Sequence, residues 1–269
     1  MSHALSHGEV HDPHLAHHFP DAATQFEAGK LGMWIFLATE VLLFGGLFCA
    51  YAVYRANHPE IFIYAHQFLD KVLGGINTAV LIVSSLTMAW AVRAAQLGQQ
   101  RALTRLLAAT VALGFVFLGI KFVEYEHKWK EGLLPGTHFT HAVTTSAPAP
   151  APLAPEPAPA AAPVGDASTI PPAARGPAGL ADPQAAGKPA AVPTVPRNVQ
   201  IFFGIYFTMT GLHGLHVIAG MITLMWVLHR ARRGKFGPAY FTPVDLAGLY
   251  WHLVDLIWIY LFPLLYLIH

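Results

Sequence analysis

Five stretches of the chain, about residues 30–54, 72–95, 103–127, 201–228 and 243–268, are apolar over lengths near the ~20 residues that a helix needs to cross a bilayer. The pattern predicts an all-α, polytopic membrane bundle of five transmembrane helices. The fourth stretch, IFFGIYFTMTGLHGLHVIAGMITLMWVL, says most about arrangement. At about 100° per residue, His213, His216 and Gly220 share one face, while Gly204, Thr208 and Gly211 lie opposite. Helices in lipid associate through small residues and polar contacts. This helix is therefore expected to be central, with neighbours on both faces.

The other stretches carry isolated polar side chains that need partners. In the first, Glu40 lies near mid-span on a face with Met33, Phe44, Leu47 and Tyr51. An intramembrane carboxyl is expensive without a partner, so it should face protein. It reads either as a hydrogen-bonded structural group or as a proton- or lipid-linked one. The second stretch holds Asn77, Thr78, Ser84 and Ser85, which suit bonding across helices. In the third, Lys121, Glu124 and Tyr125 fall within one turn, and Lys121 and Glu124 have i,i+3 spacing. They form either an interfacial ion pair with aromatic anchors or a polar cluster reaching inward. In the fifth, Trp251, Asp255, Trp258 and Phe262 share a face, with His252 about 60° around from Asp255. An Asp255–His252 contact, or a tryptophan N–H donating to Asp255, would satisfy these groups.

Two segments are of different material. Residues 1–29 form a polar tail with His3, His7, His11, His14, His17 and His18, read as flexible or as metal-handling. Residues 137–196 are rich in Ala and Pro and cannot build a core, which predicts a disordered linker between the helices of 30–136 and those of 197–269.

Composition narrows the function. With 54% hydrophobic and only 12% charged residues, the chain of 269 residues has about half the ~25% charge of a soluble domain. Its mean hydropathy is +0.45. A net charge of +1 argues against a nucleic-acid surface, and the single cysteine, Cys49, excludes an internal disulfide or a Cys-rich metal cluster. The first 20 residues lack the apolar region of a cleavable signal peptide. Arg93, Arg101 and Arg105 flank one loop, and Arg230, Arg232, Arg233 and Lys235 fill another on the same side. The positive-inside rule then places the N-terminus in the cytoplasm, with the linker and C-terminus on the periplasmic side.

Chemistry of its own is hard to find. His213, His216 and His252 could in principle offer three nitrogen ligands, haem ligation or a proton relay. The Glu-x-x-His pairs of di-iron bundles and the His-Glu-x-x-His of zinc proteases are both missing. The residues alone describe a five-helix membrane protein with a polar interior, and structural histidines stand beside the ligand and relay readings.

The ordered blocks FLATEVLLFGG, NTAVLIVSS, GFVFLGIKFVEYEHK, FFGIYFTMTGLHGLHVIAG and YWHLVDLIWIYLFPLLYL resemble subunit III of haem-copper terminal oxidases, the cytochrome c oxidase subunit 3 family. The resemblance implies a non-catalytic subunit of the bacterial inner membrane that holds no metal, haem or copper itself. It implies direct contact with catalytic subunit I, which carries haem and copper, and membership of a complex with subunit II. It also implies phospholipid binding and support of proton uptake during O2 reduction. Glu40 matches the family's intramembrane glutamate, and Lys121, Glu124 and Tyr125 match its polar cluster. His213 and His216 match its paired histidines, and Trp251, His252 and Asp255 its last block. Arg232, Arg233 and Lys235 fall where the family meets lipid headgroups. The match starts at the third helix of the seven-helix form, so the two-helix arm that encloses lipid there is expected to be absent. The linker at 137–196 is no family feature, and a contact with a larger respiratory supercomplex or an electron donor is its expected use. Partners of quinol oxidases and nitric oxide reductases look alike at this level. A small proton channel or transporter using Glu40, Lys121 and Asp255 is the remaining alternative.

Overall fold

A computed structural model describes residues 16–17, 19–130 and 198–268. Among them five helices are long and apolar enough to cross a membrane. They are α1 (Ala22–Asn57), α3 (Lys71–Gln96), α4 (Gln100–Lys130), α5 (Val199–Arg232) and α6 (Thr242–Tyr266). A short helix, α2 (Pro59–Ala65), and one 3-10 turn (His66–Phe68) link α1 to α3. The linker at 137–196 and most of the histidine tail lie outside the described residues.

The ends follow local chemistry. Asp21 caps α1 by accepting the Thr24 N–H at 2.6 Å, satisfying one of the donors that a first turn leaves free. Capping at Asp21 starts α1 eight residues before the expected position 30, inside the segment read as tail. Pro59 disfavours helical backbone at His58, so α1 stops there and α2 starts afresh. Asp70 caps α3 through the N–H groups of Val72 and Leu73. Gly98 and Gly234 take φ of 69° in the tight connections after α3 and α5, a conformation glycine adopts without a Cβ clash.

Helices α3, α4, α5 and α6 form a four-membered ring in which each touches the next and α6 closes on α3. Helix α1 lies outside the ring against α6 and α5, and α2 packs on α5. Only 11% of the apolar window of α1 is buried, against 44% for α6. Its buried stripe is Leu37, Phe44 and Tyr51, at a strict seven-residue spacing. Tyr51 fastens that stripe to the bundle by donating its hydroxyl to the Leu264 carbonyl.

The expectation for the fourth span is met in full on one face only. A Cβ on Gly220 would stand 3.0 Å from the Trp251 ring, so that face is closely packed. Around Gly211 and Gly214 nothing lies within 4 Å. Among the described residues the other face is open at Gly211, while Gly204 and Thr208 further along it share a groove with Leu47 and Ala50 of α1.

Candidate functional site

Three polar constellations cross the described bundle, and together they take up most of the residues singled out in the sequence. The first joins α1 to α5. His216 Nε2 lies 2.7 Å from Glu40 Oε2, and His216 Nδ1 lies 2.8 Å from the Leu212 carbonyl one turn back. Phe44 packs edge-on against the imidazole at 5.2 Å. The Tyr250 hydroxyl donates to the carbonyl of His216. Glu40 thus faces protein, and both ring nitrogens of His216 are engaged.

The second constellation sits near the C-terminal end of α4. Glu124 Oε2 accepts from Lys121 Nζ at 2.9 Å, while Oε1 accepts from Lys128 Nζ at 2.8 Å. The hydroxyls of Tyr206 on α5 and Tyr266 on α6 also donate to Oε1. All five residues are buried. The cluster reaches inward rather than sitting at the interface, since Lys121 Nζ rests 4.5 Å from the Trp258 ring centroid. Tyr125 turns aside to pair with Thr210 at 2.6 Å. Sequence reasoning missed Lys128, Tyr206 and Tyr266. The i,i+4 spacing of Glu124 and Lys128 was a readable signal. The two tyrosines come from other helices and left none.

The third constellation surrounds Trp258. Its indole N–H donates to Thr78 on α3, and its ring stacks near His213 of α5 at 5.3 Å and Phe117 of α4 at 5.0 Å. One layer away, Trp251 donates to Ser84, and Ser85 pairs with His252 Nδ1 at 2.6 Å. These contacts correct one expectation. Asp255 bonds neither His252 nor a tryptophan, because the α3 hydroxyls reach those donors first. Among the described residues both carboxyl oxygens of Asp255 are buried and make no hydrogen bond of normal geometry, although the Ser85 hydroxyl stands near enough to interact with the carboxyl. Both ring nitrogens of His213 and the side-chain amide of Asn77 are likewise buried without a hydrogen bond among the described residues.

The basic loop between α5 and α6 divides in two. The Arg230 guanidinium is held over the rings of Trp226 and Phe236, whereas Arg232, Arg233 and Lys235 are exposed. Beside this loop, an apolar groove of about 540 Å³ runs between α1, α5 and α6, lined by Met33, Phe36, Trp226 and Tyr250 among others. Among the described residues, no three His, Cys, Asp or Glu side chains come together as a metal-binding group.

Comparison with known proteins fits this architecture. The family described as cytochrome c oxidase subunit III matches residues 16–129 and 194–269, leaving out only the first residues and the Ala/Pro-rich segment. The chain belongs to that family. It is 28% identical to cytochrome c oxidase subunit 3 of Thermostichus vulcanus, covering 94% of this chain and 90% of that protein. It is 24% identical to quinol oxidase subunit 3 of Bacillus subtilis, with 90% of each covered. It is 23% identical to cytochrome bo(3) ubiquinol oxidase subunit 3 of Pseudomonas putida, over 88% of this chain and 84% of that one. As a subunit III, the chain is a multi-pass membrane protein and an accessory member of a haem-copper oxidase complex.

Proposed function

We propose that this chain packs directly against the catalytic subunit I of an aerobic haem-copper oxidase, beside subunit II. There it stabilises the catalytic subunit and sustains proton uptake while that subunit reduces O2 and pumps protons. Haem and copper belong to those partners. The observation that carries this reading is how the histidines are used. His216 is bonded to Glu40 and Leu212, His252 to Ser85, and His213 is wedged between Phe117 and Trp258. Three imidazoles that meet three separate sets of neighbours support a packing role over a shared redox centre. The positive-inside asymmetry puts the N-terminus in the cytoplasm and the C-terminus in the periplasm of a bacterial inner membrane.

Phospholipid binding belongs to the same reading. The groove between α1, α5 and α6 suits an acyl chain, and the exposed Arg232, Arg233 and Lys235 beside it suit a phosphate. The family likeness extends to subunits of quinol oxidases as named above, so a quinol-fed complex is the second reading.

Purification of the chain in mild detergent, read by haem spectrum and mass spectrometry, tests both. Co-purification with a haem-bearing subunit supports the proposal, and the second subunit found, copper-binding or of the quinol type, decides the donor. A colourless protein that brings down no partner overturns it. Deletion of the gene should leave O2 reduction initially active while weakening proton pumping or shortening the working life of the enzyme.

A further inference from the structure

The buried groups around Trp258 call for an occupant that the protein does not supply. Asn77, His213 and Asp255 come from α3, α5 and α6, and each is at most 2% exposed. Buried polar atoms almost always find a partner, in the protein or in ordered water. Here six such atoms on three helices make no hydrogen bond of normal geometry among the described residues. They also converge. Asn77 precedes Thr78, which holds the Trp258 N–H; Asp255 lies one turn before Trp258; and His213 packs against its ring.

Towards one side of the membrane this centre continues into polar material. Lys121 over the Trp258 ring joins it to Glu124, Lys128, Tyr206 and Tyr266. Glu124 and Lys128 in turn line a cavity of about 450 Å³ with Gln67, Asp70 and His127 at the C-terminal end of α4. Two lysines on one carboxylate also favour solvation from that end. On the vestibule side the α3–α6 seam is tight, since a Cβ on Gly74 would meet Phe262 at 2.8 Å. Towards the other side close packing falls on α4, α5 and α6 as well. Ideal Cβ atoms on Gly114 and Gly220 would lie 3.0–3.2 Å from Met221 or the Trp251 ring, and one on Gly248 would lie 3.0 Å from Val92.

We propose that the bundle holds a blind, one-sided water path. It runs from the vestibule at the α4 C-terminus, past Glu124 and Lys121, to Asp255, His213 and Asn77, and it stops at the Trp251 layer. Water is the ligand, hydrogen-bonding to the three side chains. The path gives mid-membrane groups contact with one aqueous side and does not conduct across the membrane. The inference stands on the interior of this chain and is independent of which oxidase it joins.

The test uses the complex with Cys49→Ser as background and a single cysteine introduced by Asn77→Cys. Sealed vesicles of either orientation are treated with Ag+, and protection is read as lost maleimide labelling after unfolding. Protection at least tenfold faster from the α4 C-terminal side is expected, with Thr87→Cys, beyond the Trp251 layer, unreactive from that side. Equal reaction from both sides would mean a through-channel and overturn the blind path. No reaction from either side, while Gln67→Cys in the vestibule reacts, would mean a dry interior and overturn it as well. If Asn77→Cys fails to assemble, a density map of the unaltered complex decides. Water within hydrogen-bond distance of Asp255 and His213 supports the proposal, and a protein-only environment at adequate resolution sinks it.

Discussion

Glu40 and His216, 176 residues apart in sequence, meet at 2.7 Å between α1 and α5 and must share a proton. The Leu212 carbonyl can only accept, so His216 Nδ1 carries a hydrogen. The contact at Nε2 then needs one more proton, held by the carboxyl or by the ring. Either way the pair as a whole is neutral, which is the inexpensive way to keep both groups in a bilayer.

Glu40→Gln should therefore be mild, because its amide can donate to a neutral Nε2 and preserve the contact. Glu40→Ala leaves that nitrogen unmet and should cost about 1–3 kcal/mol. The check is the thermal midpoint of the purified complex, with the order wild type and Gln together above Ala. An equal loss in both variants would show that charge, not the hydrogen bond, holds α1 in place.

Glu124 is the centre of its cluster, with four donors on one carboxylate. Glu124→Gln strands two buried amines and should destabilise by about 3–5 kcal/mol, as expected for one partner removed from a buried pair. Lys128→Met should cost less, since Lys121 still balances the carboxylate. The double variant should lose less than the sum of the single ones, because the residues act as a unit. Denaturant unfolding of the three variants measures this.

Much of the fold was legible in the pattern alone, because in a membrane length and polarity nearly dictate a spanning helix. The five spans were found, and so was the inward orientation of Glu40. Helix α2 was not, since PEIFIYA is far shorter than a span and its apolar residues read as loop. Within the site, residues on one helix were legible by spacing, as with Lys121 and Glu124. Partners from different helices were not. Nothing along the chain says that Ser84 and Ser85 would take the Trp251 and His252 contacts and leave Asp255 without a well-formed hydrogen bond. The small-residue faces of α5 looked alike in sequence, but among the described residues the one at Gly220 is closely packed and the other is open at Gly211.

Asp21 makes the entry of α1 sensitive to pH. The N–H of Thr24 donates to its carboxyl and holds it below the usual carboxylate range. The ionised cap stabilises the first turn above the unfolded value of Asp, and the contribution disappears as pH falls through the lower folded one. Protection of the amides at residues 22–26, taken relative to the intrinsic exchange rate at each pH, should be lost on that acidification, and Asp21→Ala should lack it at every pH. Protection in the native protein that stays constant across the carboxylate range would show that the cap does not hold this turn.

The two sides of α5 allow a contrast within one helix. A Cβ at Gly220 would press at 3.0–3.2 Å on Trp251 and Tyr250. The indole is rigid and held by its bond to Ser84. Gly220→Ala should therefore cost about 1–3 kcal/mol through overpacking. Gly211 has nothing within 4 Å, so Gly211→Ala should leave the unfolding of the subunit within about 1 kcal/mol of wild type. The helix gains an alanine in both cases, so propensity cancels and only the neighbours differ. Unfolding of both variants in one detergent measures the contrast directly. The reverse order would mean that α5 is turned about its axis, which would also break the Glu40–His216 contact.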